Sequence, residues 1–257
     1  MIKQNLFGLK NTNFESPHGL DSSNHYTTAY ELALLANYAL NNEIFKNIVS
    51  TKSYTVYINN QPKTINNTNE LLGNLNGVYG IKTGFTNGAN RCLVSSCVRN
   101  DLDIICVVLG ADTKKNRSLD STNLINYCFD NYQNVNIKDI IDKNFNTWKN
   151  FNKNYFYIEK SQNNNLNLIL ENLEYDIIPI KKDDINNINI EINCNHIFTA
   201  PINKNAVVGN ILVKLQDSTI TSCNIIAENK INKKTIFNYI FDFIKNYKIY
   251  IKNSINI

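Results

Sequence analysis

Long apolar runs are missing from this chain. It holds no stretch of the ~18 apolar residues that crossing a bilayer takes, and its first residues lack the basic, apolar and small-residue regions of a secretory leader. As written, the sequence carries no signal for its own export. A dense basic stripe is missing as well. The 26 Lys and Arg against 22 Asp and Glu leave a formal net charge of +4 scattered along the chain. With no recognition motif beside it, that charge excludes nucleic acid as the expected partner. The six cysteines, Cys92, Cys97, Cys106, Cys128, Cys194 and Cys223, form no C-x-x-C pair and have no histidine at ligand spacing. No metal site is expected from them, and they are expected to be buried thiols acting as small hydrophobes.

What is present has a globular composition, 43% hydrophobic and 19% charged over 257 residues. A chain of that length has room for two ordinary domains, each burying its own core. Asn, Ile, Lys and Tyr are used heavily, in the manner of an AT-rich genome, so a motif match built on asparagine carries little weight.

Along the chain, Ile2 to Phe7 suggests a short helical piece stopped by Gly8, and a loop follows through Pro17-His18-Gly19. Thr28 and Glu31 form a capping box, with Leu32, Leu35, Tyr38 and Ala39 at helical spacing across residues 28 to 41. Residues 53 to 58 are rich in β-branched and aromatic types and predict a strand, with a polar loop over 59 to 69. Three antiparallel strands are expected next: the glycine-bounded segment from Gly77 to Gly84, then Cys92 to Arg99 and Leu102 to Ala111 joined at Asn100-Asp101. Leu124, Ile125, Cys128, Phe129 and Tyr132 mark one face of a second helix over the sheet. After a connecting stretch over residues 134 to 150, short strands at 155–159, 167–170, 175–179, 188–192, 207–215 and 220–226 suggest a small β-sandwich. The last segment, 233 to 257, sets Ile236, Ile240, Phe243, Ile244, Tyr247 and Ile251 near one helical face, with Lys234, Lys245, Lys248 and Lys252 among its charges. Such a helix either lies in a membrane interface or docks on its own domain.

Lys82-Thr83-Gly84 is the motif with chemical content. Any chosen tripeptide occurs by chance in ~3% of chains this long, so its context decides. Alternation along a strand can aim Thr83 into a cleft, Gly84 leaves room for a peptide to approach the backbone, and Lys82 supplies positive charge for a carboxylate. Around it stand, in order, Asn11-Thr12-Asn13-Phe14, Pro17-His18-Gly19-Leu20-Asp21, His25-Tyr26-Thr27-Thr28-Ala29-Tyr30-Glu31-Leu32-Ala33, Ile48-Val49-Ser50-Thr51, Gly80-Ile81-Lys82-Thr83-Gly84-Phe85-Thr86 and Val107-Val108-Leu109-Gly110-Ala111. That series closely resembles the D-alanyl-D-alanine carboxypeptidases of the low-molecular-weight penicillin-binding proteins. Ala200-Pro201-Ile202 and Val208-Gly209 look like that family's C-terminal β-domain.

The resemblance implies an α+β fold: part of a penicillin-binding-protein or β-lactamase-like transpeptidase domain over residues 1–133, a β-rich domain over 134–232 and an amphipathic helix over 233–257. It implies a serine-type hydrolase that removes the terminal D-Ala of peptidoglycan stem peptides through an acyl-enzyme, with no metal or organic cofactor. β-Lactams would be ligands of the intact enzyme, working at the outer face of the bacterial cytoplasmic membrane or in the cell wall. In such a site Lys82 would belong to the catalytic network, and Thr83, with Gly84 beside it, would bind the terminal carboxylate. The Phe85 N–H would be an oxyanion donor and Arg117 would hold the same carboxylate. The alternative for Arg117 is an exposed helix arginine. His18 is expected to be structural or at the edge of the site and not a general base, and His25 and His196 to lie at the surface.

The family's S-x-x-K nucleophile motif precedes the region that residue 1 matches, and no serine here has lysine three positions later. Ser22-Ser23-Asn24 and Ser254-Ile255-Asn256 fit the family's S-x-N spacing, but in a loop and at the extreme terminus. The expectation is a chain inactive by itself, its serine supplied by a lost or separately encoded N-terminal half. The alternative is a non-catalytic peptidoglycan-binding or scaffold protein. Tyr79 stands where the family commonly has Asp, and Asn90 where it commonly has Gly.

Overall fold

The computed structural model describes residues 8–163 and 165–255, with side chains to residue 251. The chain divides into two units, Met1–Asn134 and Val135–Ile257. The helical piece expected at Ile2 to Phe7 lies outside the described residues.

In the first unit, Thr28 caps α1 (Ala29–Leu40), its Oγ1 accepting the Glu31 N–H at 3.2 Å. Only that half of the capping box forms. The Glu31 carboxylate turns instead to the incoming loop, where it accepts from the N–H groups of Lys10 and Asn11 at 2.8 and 2.9 Å and from the Thr12 hydroxyl. A second helix that the sequence reading missed, α2 (Glu43–Ser50), begins at Asn42, whose Oδ1 accepts from the N–H groups of Ile44 and Phe45 at 3.0 and 3.1 Å. The expected strand β1 (Ser53–Ile58) pairs with β2 (Gln61–Asn66), which occupies the segment expected to be loop. Every β2 residue is exposed, so no hydrophobic alternation marks it. Its signal was the Asn59-Asn60 turn, where both residues take positive φ (51° and 60°) as a two-residue hairpin requires.

The central sheet is β3 (Val78–Thr86), β4 (Asn90–Arg99) and β5 (Leu102–Ala111), antiparallel in the order β3-β4-β5. Gly77 leads into β3 at φ +83°, and a Cβ there would sit 2.3 Å from the Val98 carbonyl oxygen, so no other residue fits. At the β4–β5 turn, Asn100 and Asp101 take φ of 48° and 63°. α3 (Lys114–Asn131) covers the sheet, capped by Thr113. Its buried face is Arg117, Ser121 and Ile125, with Ile125 packed against Leu93, Cys97, Cys106 and Val108. Leu124, expected on that face, is 47% exposed.

The second unit is entered through β6 (Tyr132–Asn136). The expected connecting stretch is in fact α4 (Ile137–Asn152), with Asn136 Oδ1 accepting from the Asp139 N–H. Ile137, Ile141 and Phe145, four residues apart, are no more than 4% exposed and fill the core of this unit. Trp148 stacks on Phe145 with ring centroids 6.0 Å apart. The strands are β7 (Tyr157–Glu159), β8 (Leu168–Leu170), β9 (Ile177–Lys181), β10 (Ile188–Cys194), β11 (Ile197–Thr199), β12 (Val207–Leu215) and β13 (Ser218–Ala227). β10, β12, β13 and β8 form an antiparallel sheet in that order, and β7 pairs in parallel with β11. Ile211, Val213, Ile225 and Ala227 on its inner face are fully buried. At Gly209 a Cβ would lie 2.4 Å from the Asn193 carbonyl oxygen, which ties this glycine to the close approach of β10 and β12.

The last element, α5 (Ile236–Ile255), buries none of its described apolar side chains. Ile236, Phe237, Phe241 and Phe243 are each at least 70% exposed. The apolar side chains of this helix are thus left uncovered by the rest of its unit. All six cysteines are free thiols, three buried and three half-buried.

Candidate functional site

β3 carries Lys82, Thr83, Gly84 and Phe85 in succession, and the strand's alternation divides them between faces. Gly80 and Ile81 are buried, Thr83 is half-buried, and Lys82, Gly84 and Phe85 are exposed. Opposite them on β4 lie Val94, Leu93, Cys92 and Arg91, in that order. The Arg91 guanidinium covers the Phe85 ring at 3.8 Å. A Cβ on Gly84 would meet only Cys92 Cβ at 3.7 Å, so the backbone here is accessible. Lys82 Nζ donates to the Thr83 carbonyl oxygen, which folds the ammonium back along the strand.

The segment Thr68–Glu70 lies along this strand and contacts it at two levels. The Thr68 and Thr83 hydroxyls are 2.6 Å apart, and Asn69 Nδ2 donates to the Gly80 carbonyl oxygen at 2.8 Å. Glu70, the next residue, reaches α3, where Lys114, Arg117 and Ser118 occupy positions i, i+3 and i+4 and so share one face. Glu70 Oε2 accepts from Arg117 Nη2 at 2.9 Å and from the Ser118 hydroxyl at 2.6 Å, while Oε1 pairs with Lys114. Arg117 is 3% exposed, so the alternative of an exposed helix arginine does not hold; the side chain is buried and already ion-paired. Glu70 was not singled out from the sequence.

The loop after β3 is tied down from further away. Asp21, the last residue of the Pro17–Asp21 motif, accepts the Gly88 N–H at 3.1 Å. Asn90 takes φ of 56°, so the position that suits glycine is filled by asparagine, the side chain that best tolerates the left-handed region. Tyr79 reaches across the sheet to both carboxylate oxygens of Asp103, at 2.9 and 2.7 Å. His18 Nδ1 accepts the Leu20 N–H at 3.1 Å and shapes its turn. The His25 ring lies tilted beside that of Phe14, with centroids 5.5 Å apart, and the exposed His196 bonds Asn152 through Nε2 at 2.8 Å.

Residues 2–113 match the D-alanyl-D-alanine carboxypeptidase family, and residues 145–233 match the C-terminal domain of penicillin-binding protein 5. The first unit is thus similar to the D-alanyl-D-alanine carboxypeptidase family over most of its length. The chain is 28% identical over 232 residues to the D-alanyl-D-alanine carboxypeptidase DacF of Bacillus subtilis, an alignment covering 90% of this chain and 57% of that protein. With the carboxypeptidase DacC of Escherichia coli it shares 32% identity over 92% of its own length and 56% of the relative's. The crystal structure of penicillin-binding protein 5 from Haemophilus influenzae superposes with a TM-score of 0.66 at 25% identity, covering 90% of this chain and 64% of that one. The chain thus spans a little over half the length of the curated carboxypeptidases it matches.

S-x-N spacing also occurs at Ser121-Thr122-Asn123, Ser161-Gln162-Asn163 and Ser222-Cys223-Asn224, triplets the sequence reading passed over. Ser121 is buried in α3 with its hydroxyl donating to the Arg117 carbonyl oxygen, Ser161 donates to the Ile158 carbonyl oxygen, and Ser222 is exposed on β13.

Two carboxylates link this architecture to pH. Burial of Glu31 opposes its charged form, yet hydrogen bonds from Thr12, Asn11 and Lys10 outweigh that and hold the carboxyl below its ordinary 4.5. At Glu70 burial likewise opposes the charge and is outweighed by Lys114, Ser118 and Arg117. A carboxyl depressed in the folded state contributes stability that is fully present above the unfolded value and is lost as pH falls through the folded one. Urea unfolding followed by circular dichroism from about pH 7 to about pH 3 is therefore expected to show a plateau and then a decline below about pH 4.5. Glu31→Gln should lower the plateau and flatten the decline. An unchanged acid slope in Glu31→Gln would show that this network does not govern acid stability.

Proposed function

We propose that the first unit is the carboxylate-recognition wall of a serine-type D-alanyl-D-alanine carboxypeptidase acting on peptidoglycan stem peptides. The observation that carries this reading is the Lys82-Thr83-Gly84 strand with Thr83 joined to Thr68 and an arginine-bearing helix face one residue beyond Asn69. A peptide ending in D-Ala-D-Ala lies antiparallel to β3 over Gly84. Thr83 donates its hydroxyl to the terminal carboxylate, and Lys82 with the α3 cations supplies the field that favours an anion there. The Phe85 N–H is the donor for charge developing on the scissile carbonyl oxygen. The hydroxyl that attacks that carbonyl belongs to an S-x-x-K serine, and no serine of this sequence has that spacing.

The polypeptide bearing such a serine has a place to pack. β5 is an edge strand, and Leu34 and Tyr38 on α1 and Ile44 and Ile48 on α2 are exposed; covering such apolar surface drives association. With that polypeptide the assembly carries out acyl transfer and binds β-lactams.

Calorimetric titration with diacetyl-L-lysyl-D-alanyl-D-alanine tests the recognition claim. Thr83→Val is expected to weaken binding about tenfold, the worth of one charge-assisted hydrogen bond, while a fluorescent penicillin leaves the chain unlabelled. Equal affinity in Thr83→Val would remove the basis for this reading, and covalent labelling of the chain alone would contradict its dependence on an outside serine.

We further propose that α5 lies in the interface of a membrane, where its exposed Phe, Ile and Tyr side chains enter the acyl boundary and Lys245 and Lys248 meet anionic headgroups. This location suits an enzyme of the cell wall. Among the described residues no helix is long and apolar enough to cross a bilayer. Co-sedimentation with anionic phospholipid vesicles should be lost on deleting Ile236–Ile255 and weakened by salt; sedimentation unchanged by the deletion would refute the anchor.

A further inference from the structure

A buried arginine available to a ligand's carboxylate should present a free edge, but Nη2 of Arg117 is already bonded to the Glu70 carboxylate. Ser118 and Lys114, its neighbours on the same helix face, are directed at that carboxylate too, so one internal anion holds three donors. The bond to Arg117 is a single contact, not the two parallel bonds of a forked pair. Arg117 Nε has no partner among the described residues, so Glu70 leaves part of the guanidinium unsatisfied. Glu70 is 34% exposed at the end of a short segment, and its side chain has solvent into which it can swing. The same segment bonds Thr83 through Thr68, two residues earlier, which places the internal carboxylate beside the strand that receives the peptide terminus.

We infer that the Glu70 carboxylate is a resident occupant of the Lys114, Arg117 and Ser118 cluster and competes for it with carboxylate-terminated ligands, making Glu70 the residue that sets affinity for a D-alanyl terminus. This rests on the recognition reading above and adds to it a specificity element on the segment facing β3. Two carboxylates cannot share one guanidinium edge without mutual repulsion, so the ligand's anion enters only as Glu70 leaves. A ligand with an uncharged terminus gains nothing from that exchange.

The test uses the full chain at low ionic strength with two probes, diacetyl-L-lysyl-D-alanyl-D-alanine and its C-terminal carboxamide. Glu70→Gln keeps an acceptor for Arg117 and removes the charge. It is expected to bind the acid about tenfold more tightly than the unaltered chain, the scale of one charged hydrogen bond, with the carboxamide changed less than about twofold. If Glu70→Gln unfolds, as circular dichroism would show, Glu70→Asp retains the charge and shortens its reach, and a smaller gain for the acid alone is expected. Equal or weaker binding of the acid in the variant, or an equal gain for the carboxamide, overturns the inference. Binding that depends on Thr83 but not on Glu70 sinks the inference alone. Binding independent of both residues, or absent from every chain, sinks the recognition reading and the inference with it.

Discussion

The hydrogen bond between the Thr68 and Thr83 hydroxyls, with the Asn69 amide on the Gly80 carbonyl beside it, is the constraint on which the site depends. It fixes an irregular segment against β3, an edge strand of the sheet among the described residues. In doing so it delivers Glu70 to the face of α3 that carries Lys114, Arg117 and Ser118. Elements distant in sequence serve the same geometry: Gly77 permits the turn into β3, Asp21 holds the loop that leaves it, and Asn90 accepts the left-handed backbone at its far end.

Much of this was legible in the sequence where local chemistry and burial agree. The three strands of the central sheet combine apolar content with glycine or Asn-Asp punctuation, and α1 begins at a threonine that caps as expected. Legibility failed where structure rests on pairing rather than on side-chain pattern. β2 is wholly exposed and exists because β1 supplies its hydrogen bonds. α4 was overlooked because lysines and asparagines surround Ile137, Ile141 and Phe145, although the four-residue spacing was there to be counted. At the site, the motif located β3 but not what faces it. Glu70 lies in a polar, asparagine-rich stretch with no signature, and only the folded chain brings it to Arg117. That pairing also removes the alternative of an exposed arginine, since the side chain is buried and engaged.

The second unit and α5 differ in kind. The former closes a core of its own around Ile211, Val213 and Ile225, with α4 contributing a full apolar stripe. By contrast, α5 leaves its phenylalanines and isoleucines in solvent. At ~25 cal/mol per Å² of apolar surface, so many uncovered rings are a strong drive toward any apolar phase.

The central claim is that the Thr83 strand receives a carboxylate-terminated D-alanyl peptide. The most direct measurement is a nuclear magnetic resonance titration of the isotopically labelled chain with diacetyl-L-lysyl-D-alanyl-D-alanine. The account predicts saturable shifts of the Thr83, Gly84 and Phe85 amides together with the Arg117 side-chain signal. Shifts confined to the second unit, or amides of β3 that stay in place at saturating peptide, would contradict it.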